Sequence, residues 1–134
     1  MTVEGLRYRI LVVDDERAVR AGLRRLLEGL DADVEEAGSG EEALASLTPG
    51  RWDLILLDIS LPGMSGLVAL EQIQLLCPGL PVAIVSGMGV DPYAGEALRR
   101  GAAAFVSKDR AHTDLLDVVR RLLSTTRVGG QGAT

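Results

Sequence analysis

Asp53-Leu54-Ile55-Leu56-Leu57-Asp58-Ile59-Ser60-Leu61-Pro62-Gly63 is the stretch on which the reading of this chain turns. Four consecutive apolar residues, Leu54 to Leu57, run into a carboxylate, and a Pro-Gly pair follows. A short apolar run bounded by turn formers is the pattern of a strand buried on both faces. Asp58 then stands where that strand leaves its sheet. Ligand sites in open parallel sheets lie just beyond the carboxyl ends of the strands. Asp is also an ordinary turn former, so Asp58 alone fits a simple turn equally well. The other strand ends decide between the two readings.

Outward from this stretch, the chain alternates strand and helix patterns. Ile10 to Val13 form an apolar strand that stops at Asp14-Asp15-Glu16. Val19, Leu23, Leu26, Leu27 and Leu30 follow at helical spacing, with Gly29 near the stop,. Val34 to Ala37 make a shorter, weaker strand. Ser39-Gly40-Glu41-Glu42 has capping-box spacing, with Glu42 placed to reach back to the Ser39 amide,. The helix it opens carries Ala43, Leu44 and Leu47 and stops at Pro49-Gly50. A third helix is predicted from Gly66 to Leu76. Pro81 to Val85 form the fourth strand, and Asp91-Pro92 starts the fourth helix, with the carboxylate as cap and proline at the first helical position,. Ala103 to Val106 form the fifth strand. The last helix carries Leu115, Leu116, Val118, Val119, Leu122 and Leu123,. Residues 1–124 read as one domain, and 125–134, polar and glycine-rich, as a linker or disordered tail,.

Strands alternating with helices predict an α/β fold, a doubly wound five-stranded parallel sheet with helices on both faces. All strand carboxyl ends then share one edge. On that edge fall Asp14 and Asp15, Asp58, Ser86, and Lys108. Converging carboxylates repel one another unless a cation is present, and oxygen-only ligation in a watery site suits Mg²⁺. Asp58 also fits a nucleophile that accepts a phosphoryl group. Lys108 offers a mobile positive charge and Ser86 a hydroxyl for phosphoryl oxygens. Every member of the set answers a need of phosphoryl transfer to a carboxylate.

Composition sets the limits on function. The 134 residues suit a single domain, and 47% hydrophobic with 25% charged residues is ordinary for a soluble globular protein,. A net charge of −5 argues against this domain binding nucleic acid itself, and weakly against an anionic membrane surface,. A single cysteine, Cys77, excludes an internal disulfide and any multi-cysteine metal site,. No signal-peptide or membrane-spanning pattern is present, so the cytoplasm is the expected location.

The chain resembles the receiver domain of bacterial two-component response regulators. The resemblance runs from about Arg9 to Leu123. It rests on Ile10-Leu11-Val12-Val13-Asp14-Asp15-Glu16, Leu57-Asp58-Ile59-Ser60-Leu61-Pro62-Gly63-Met64-Ser65-Gly66, Val85-Ser86-Gly87, and Gly101-Ala102-Ala103-Ala104-Phe105-Val106-Ser107-Lys108. It implies a flavodoxin-like sheet in order 2-1-3-4-5, with Asp58 as phosphoacceptor. It implies that Asp14, Asp15, Asp58 and the Ser60 backbone carbonyl hold Mg²⁺, that Ser86 and Lys108 contact the phosphate, and that Ser86 and Phe105 form the switch. The resemblance further implies a sensor histidine kinase as phosphodonor and a regulatory rather than enzymatic role. A readout surface of the fourth helix, fifth strand and fifth helix is implied, as is homodimer formation on phosphorylation. Many receivers have proline after the lysine, whereas here Asp109 follows Lys108, similar to receivers that precede a helix-turn-helix DNA-binding domain. The output domain is otherwise unspecified.

Two alternatives belong to other classes. A phosphohydrolase of the haloacid dehalogenase kind also uses a strand-end Asp with Mg²⁺, but needs a second Asp two residues on, where this chain has Ser60. A degenerate receiver that only binds partners conflicts with the intact set. His112, the single histidine, reads as an exposed helix-start residue. Cys77 reads as an apolar filler, Trp52 as packing at the entry to the third strand, and Met88 as a shade over the site.

Overall fold

The computed structural model describes residues 7–87 and 93–132, with side chains described up to residue 125. The elements are β1 (Tyr8–Val13), α1 (Arg17–Leu26), β2 (Ala32–Ala37), α2 (Gly40–Ala45), β3 (Leu54–Leu57), α3 (Gly66–Leu76), β4 (Val82–Ser86), α4 (Ala94–Arg99), β5 (Ala104–Ser107) and α5 (Ala111–Gly132). The strands form one parallel sheet in order β2-β1-β3-β4-β5. This is the doubly wound, flavodoxin-like arrangement the sequence predicts.

Alternation along the strands sorts the core into two layers. Leu11, Val13, Ile55, Leu57 and Ile84 face α2, α3 and α4, where they meet Ala43, Leu70, Ile73 and Ala97. Ile10, Val12, Leu54, Leu56 and Val85 face α1 and α5, where they meet Leu23, Leu27, Leu115, Val119 and Leu123. Because both faces are covered, β3 and β4 are buried at every position, which is why they read as unbroken apolar runs. The edge strand β2 alternates between half-buried and exposed residues before Ala37, hence its weaker signal. It starts earlier than predicted because Arg7 pairs with Asp31 and Asp33 and donates to the Ala32 carbonyl, pinning Ala32 opposite Tyr8.

Other departures have local causes. α1 stops at Leu26, short of Gly29, yet Leu27 and Leu30 still pack on the same layer from the turn that follows. α2 stops at Ala45, where the Ser46 hydroxyl donates to the Ala43 carbonyl and the Trp52 indole donates to the Ser46 carbonyl. Ser39 caps α2 by accepting from the Glu42 amide at 3.0 Å, but the Glu42 carboxylate receives the Gly38 amide, one residue before the predicted Ser39. The predicted helix start at Asp91-Pro92, and Met88, lie outside the described residues. α5 does not give way to a tail at Thr125 and continues to Gly132. Buried Leu115, Val119 and Leu123 anchor its inner turns, so the later residues extend an existing helix and need no new nucleus. No cis peptide occurs among the described residues, so the Lys108–Asp109 bond is trans. α4 is tied to α3 by Arg100, which donates to Glu71 and to Glu96 at 2.7 Å each.

One close approach sets the loop after β3. A Cβ on Gly66 would lie 2.4 Å from the Asp58 carbonyl oxygen and from the Ile59 Cα, both backbone atoms. The Gly66 amide donates to the Ile59 carbonyl at 2.8 Å. Gly22, inside α1, has open space instead. Gly66→Ala is expected to destabilise the fold by roughly 1–3 kcal/mol through overpacking, and Gly22→Ala to stabilise it by roughly 0.5–1 kcal/mol. Urea denaturation of both variants checks the pair, and similar midpoints would overturn this account of the loop.

Candidate functional site

The sheet register assembles the site. Val13 stands opposite both Ala37 and Leu57, so Asp14 and Asp58 leave adjacent strands at the same level. Each is fixed by one more ladder bond: the Asp14 amide donates to the Ala37 carbonyl at 3.1 Å, and the Asp58 amide to the Val13 carbonyl at 3.0 Å. Both carboxylates are buried, with 1% and 3% of their surface exposed. Ser86 ends β4 opposite Ser107 of β5, and a short 3-10 turn at Lys108–Arg110 follows. The Lys108 amide donates to the Gly87 carbonyl at 3.0 Å, which ties that turn to the loop after Ser86.

Three different donors meet on Asp58. The Ser86 hydroxyl donates to its Oδ1 at 2.9 Å and the Ser60 amide to the same oxygen at 3.0 Å. The Lys108 ammonium donates to Oδ2 at 3.2 Å. Lys108 also lies 2.9 Å from Asp14 Oδ2 and 3.8 Å from Glu16 Oε1. Asp14 Oδ1 accepts from the Glu16 amide at 2.9 Å. Asp14 Oδ2, despite its ion pair, accepts no aligned hydrogen bond, and it is the one buried side-chain polar atom so placed among the described residues. An oxygen from each of Asp14, Asp15 and Asp58 lies within 4.8 Å of the others, with Asp15 exposed on the outer side. Hard oxygen donors, one of them buried with only an ion pair as partner, and one side open to water are what a hard divalent cation such as Mg²⁺ requires.

Electrostatics follow from this crowding. Burial pushes the Asp14 carboxyl above the usual aspartate range; Lys108 and the Glu16 amide oppose that shift, and the neighbouring Asp58 charge adds to it,. Burial works against the charged Lys108 ammonium, but Asp14 and Asp58 together outweigh it and hold its pKa above the usual lysine value.

The residues predicted from sequence therefore gather at one edge, with two qualifications. Ser86 is already bonded to Asp58, so its hydroxyl need not travel to reach the site. Phe105 is not in the pocket: it sits in mid-strand opposite Ile84, half-buried against the layer shared by α3 and α4. His112 is exposed at the start of α5, as expected. Trp52 is buried at the opposite end of β3 from Asp58, with Arg51 stacked over its ring at 4.9 Å. Sequence reading missed Arg20, which donates to the Asp14 carbonyl at 2.6 Å. An arginine on a helix that also carries Arg17, Arg24 and Arg25 gives no signal of its own. No described helix is long and apolar enough to cross a membrane.

Comparison with known proteins agrees with this geometry. The chain is 40% identical over 117 residues to the transcriptional activator protein ExaE of Pseudomonas putida, covering 86% of this chain and 55% of that protein. It is 32% identical over 121 residues to the response regulator GacA of Pseudomonas viridiflava, covering 89% and 56% respectively. It thus spans about half the length of these curated relatives. The crystal structure of a CheY-like response regulator receiver domain protein from Methanospirillum hungatei superposes with a TM-score of 0.83 at 32% identity, covering 92% of this chain and 98% of that one. The family model for the response regulator receiver domain matches residues 10–120, and the chain belongs to that family.

Proposed function

We propose that Asp58 accepts a phosphoryl group from a histidine of a sensor kinase, with Mg²⁺ in the acidic pocket, and that the change at the site resets the surface of α4, β5 and α5. The observation that carries this reading is the convergence of the Ser86 hydroxyl, the Ser60 amide and the Lys108 ammonium on one buried carboxylate, beside the buried Asp14 carboxylate. An Asp58 oxygen attacks phosphorus in line with the P–N bond of the donor. The new O–P bond forms as the P–N bond breaks, and its electron pair stays on the donor's ring nitrogen. Lys108 and Ser86, already within reach, transfer their contacts from Asp58 to phosphoryl oxygens. Asp14, Asp15, Asp58 and the Ser60 carbonyl are the residues that would hold Mg²⁺. When bound, that ion supplies positive charge to offset the negative charge gathered between carboxylates and phosphoryl group.

A surface for the donor lies next to the site. Val19, Leu23, Leu26, Ala111, His112 and Lys108 line an apolar hollow of about 240 Å³ between α1 and the start of α5. Residues 1–124 are read as the receiver and 125–134 as a linker, whose first part continues α5 as far as Gly132. That the relatives are about twice as long, and that one is a transcriptional activator, supports transcription control as the output. The switch is read as Ser86 and Phe105, linked through the β4–β5 register, in which Ile84 faces Phe105 and Ser86 faces Ser107. Phosphoryl oxygens that engage Ser86 and Lys108 pull on both strand ends, biasing two arrangements of the adjoining surface, including its capacity to form a homodimer.

Three measurements test this reading. A small phosphodonor with Mg²⁺ should add one phosphoryl group by intact mass, and Asp58→Asn should add none; labelling retained in that variant would move the site elsewhere. Amide exchange should change on phosphorylation at Ser86, at Phe105 and along Ala94–Arg99; changes confined to the loops holding Asp14, Asp58 and Lys108 would reject the readout surface. The third test is pH-dependent. Because the Asp14 carboxyl is raised in the folded state, the native protein binds a proton more readily than the unfolded chain. Asp14 therefore adds stability as pH falls from its raised value towards the ordinary aspartate value, and loses it as pH rises through that window. At neutral pH without metal, Asp14→Asn is expected to melt a few degrees higher than wild type and to show no further rise with Mg²⁺, whereas wild type rises. A lower metal-free melting temperature for Asp14→Asn would contradict the strained-carboxylate account.

A further inference from the structure

Arg20 has an unusual setting for an arginine on a surface helix: only 15% of its side chain is exposed. Its Nη1 donates to the Asp14 carbonyl at 2.6 Å, and its Nε donates to Glu36 Oε1 at 2.9 Å. Glu36 belongs to β2, and the next residue, Ala37, accepts the Asp14 amide through its carbonyl. Both sides of Asp14 are thus held from β2, the amide directly and the carbonyl through Arg20. Glu36 is a firm anchor. Arg24 takes its other oxygen at 2.8 Å, and Arg24 and Arg20 hold its carboxyl below the usual glutamate range, so it stays ionised. Beyond Asp14 the chain leaves the sheet, and the orientation of the Asp14–Asp15 peptide depends on what holds its carbonyl.

We propose that Arg20 is a positioning residue for the acidic pocket: by gripping the Asp14 carbonyl it sets the Asp14–Asp15 peptide so that both carboxylates face one Mg²⁺. The proposal rests on the reading of that pocket as a Mg²⁺ site. The planar guanidinium fork spans the two acceptors, Asp14 O and Glu36 Oε1, at fixed angles. A lysine ammonium would supply the same charge without that geometry. Partners one shell out from a metal fix the orientation of its ligands, and losing one weakens binding about 10–100-fold.

Calorimetric titration of MgCl₂ into the unphosphorylated chain tests it, with melting in EDTA as the structural control. Arg20→Met and Arg20→Lys should each weaken Mg²⁺ binding at least about tenfold. Arg7→Met removes the pairs with Asp31 and Asp33 at the start of β2, away from the pocket, so its melting temperature should fall while its Mg²⁺ affinity stays that of wild type. The backbone amide resonance of Asp15 should move in the two Arg20 variants and not in Arg7→Met. If Arg20→Lys binds Mg²⁺ like wild type, charge alone suffices and the proposal fails. If Arg7→Met loses as much affinity as Arg20→Met, the effect is general loosening and it also fails. A wild-type chain that takes up no Mg²⁺ would instead overturn the reading of the pocket on which the proposal rests.

Discussion

Two buried carboxylates side by side are the constraint from which the rest of this structure follows. The register that sets Val13 opposite Leu57 leaves Asp14 and Asp58 at one level on neighbouring strands. Like charges so placed repel strongly in a medium that water does not screen. A single ammonium, Lys108, bridges them, and it reaches there only because β5 lies next to β4 and the 3-10 turn after it folds back over the edge. The sheet order and the site are therefore one requirement. A strand order that carried β5 away from β4 would leave two buried charges without a counter-charge, a cost of several kcal/mol.

The same contacts join chemistry to surface. Asp58 is bonded to Ser86, Ser86 ends the strand that pairs with β5, and the Lys108 amide holds the loop after Ser86. A change of charge at Asp58 acts on both strand ends at once, since its donors come from both. α4 packs beside this pair through buried Ala97, a small contact, while its ties to α3 run through Arg100 at the surface. Surface ion pairs contribute little each. α4 is thus held less firmly than α3, whose Ala69, Leu70 and Ile73 are fully buried. That difference in anchoring leaves α4 freer than α3 to shift against the sheet.

Most of this architecture was legible in the sequence, and what escaped has a physical pattern. The central strands read clearly because burial on both faces demands unbroken apolar runs, as in Leu54 to Leu57. The strand-end set of Asp14, Asp15, Asp58, Ser86 and Lys108 read clearly because each falls within two residues of the end of such a run. The ends of α1 and α2 were misplaced because Leu27, Leu30 and Leu47 pack from turns as well as from helices, so an apolar residue in register does not prove a helical backbone. The early start of β2 depends on Arg7 reaching Asp31 and Asp33, a contact between distant segments that local pattern does not contain. The continuation of α5 past Thr125 was hidden by glycines that mark loops on average but tolerate a helix already nucleated upstream,. Arg20 was invisible for the same reason as Arg7: its partners, Asp14 and Glu36, are supplied by the fold.

Strain at the site and firmness around it are complementary. Asp14 carries a raised carboxyl, and one of its buried oxygens is held only by the Lys108 ion pair, features that cost stability in the metal-free protein,. They persist because the surroundings leave no cheaper arrangement. Its amide is fixed by Ala37 and its carbonyl by Arg20, and one carboxylate oxygen is fixed by the Glu16 amide. Beneath it, Ile10 to Val13 are fully buried within the sheet. Relaxing Asp14 into water would require breaking several of these contacts together. A divalent cation, by contrast, would relieve the repulsion without breaking them. A cation bound in such a pocket would remove a cost the fold already bears, which would couple occupancy to stability. The donors on Asp58 are single-point contacts, a lysine, a hydroxyl and one amide, and not a closed bidentate clamp, so each can be exchanged singly while the strands beneath stay in register.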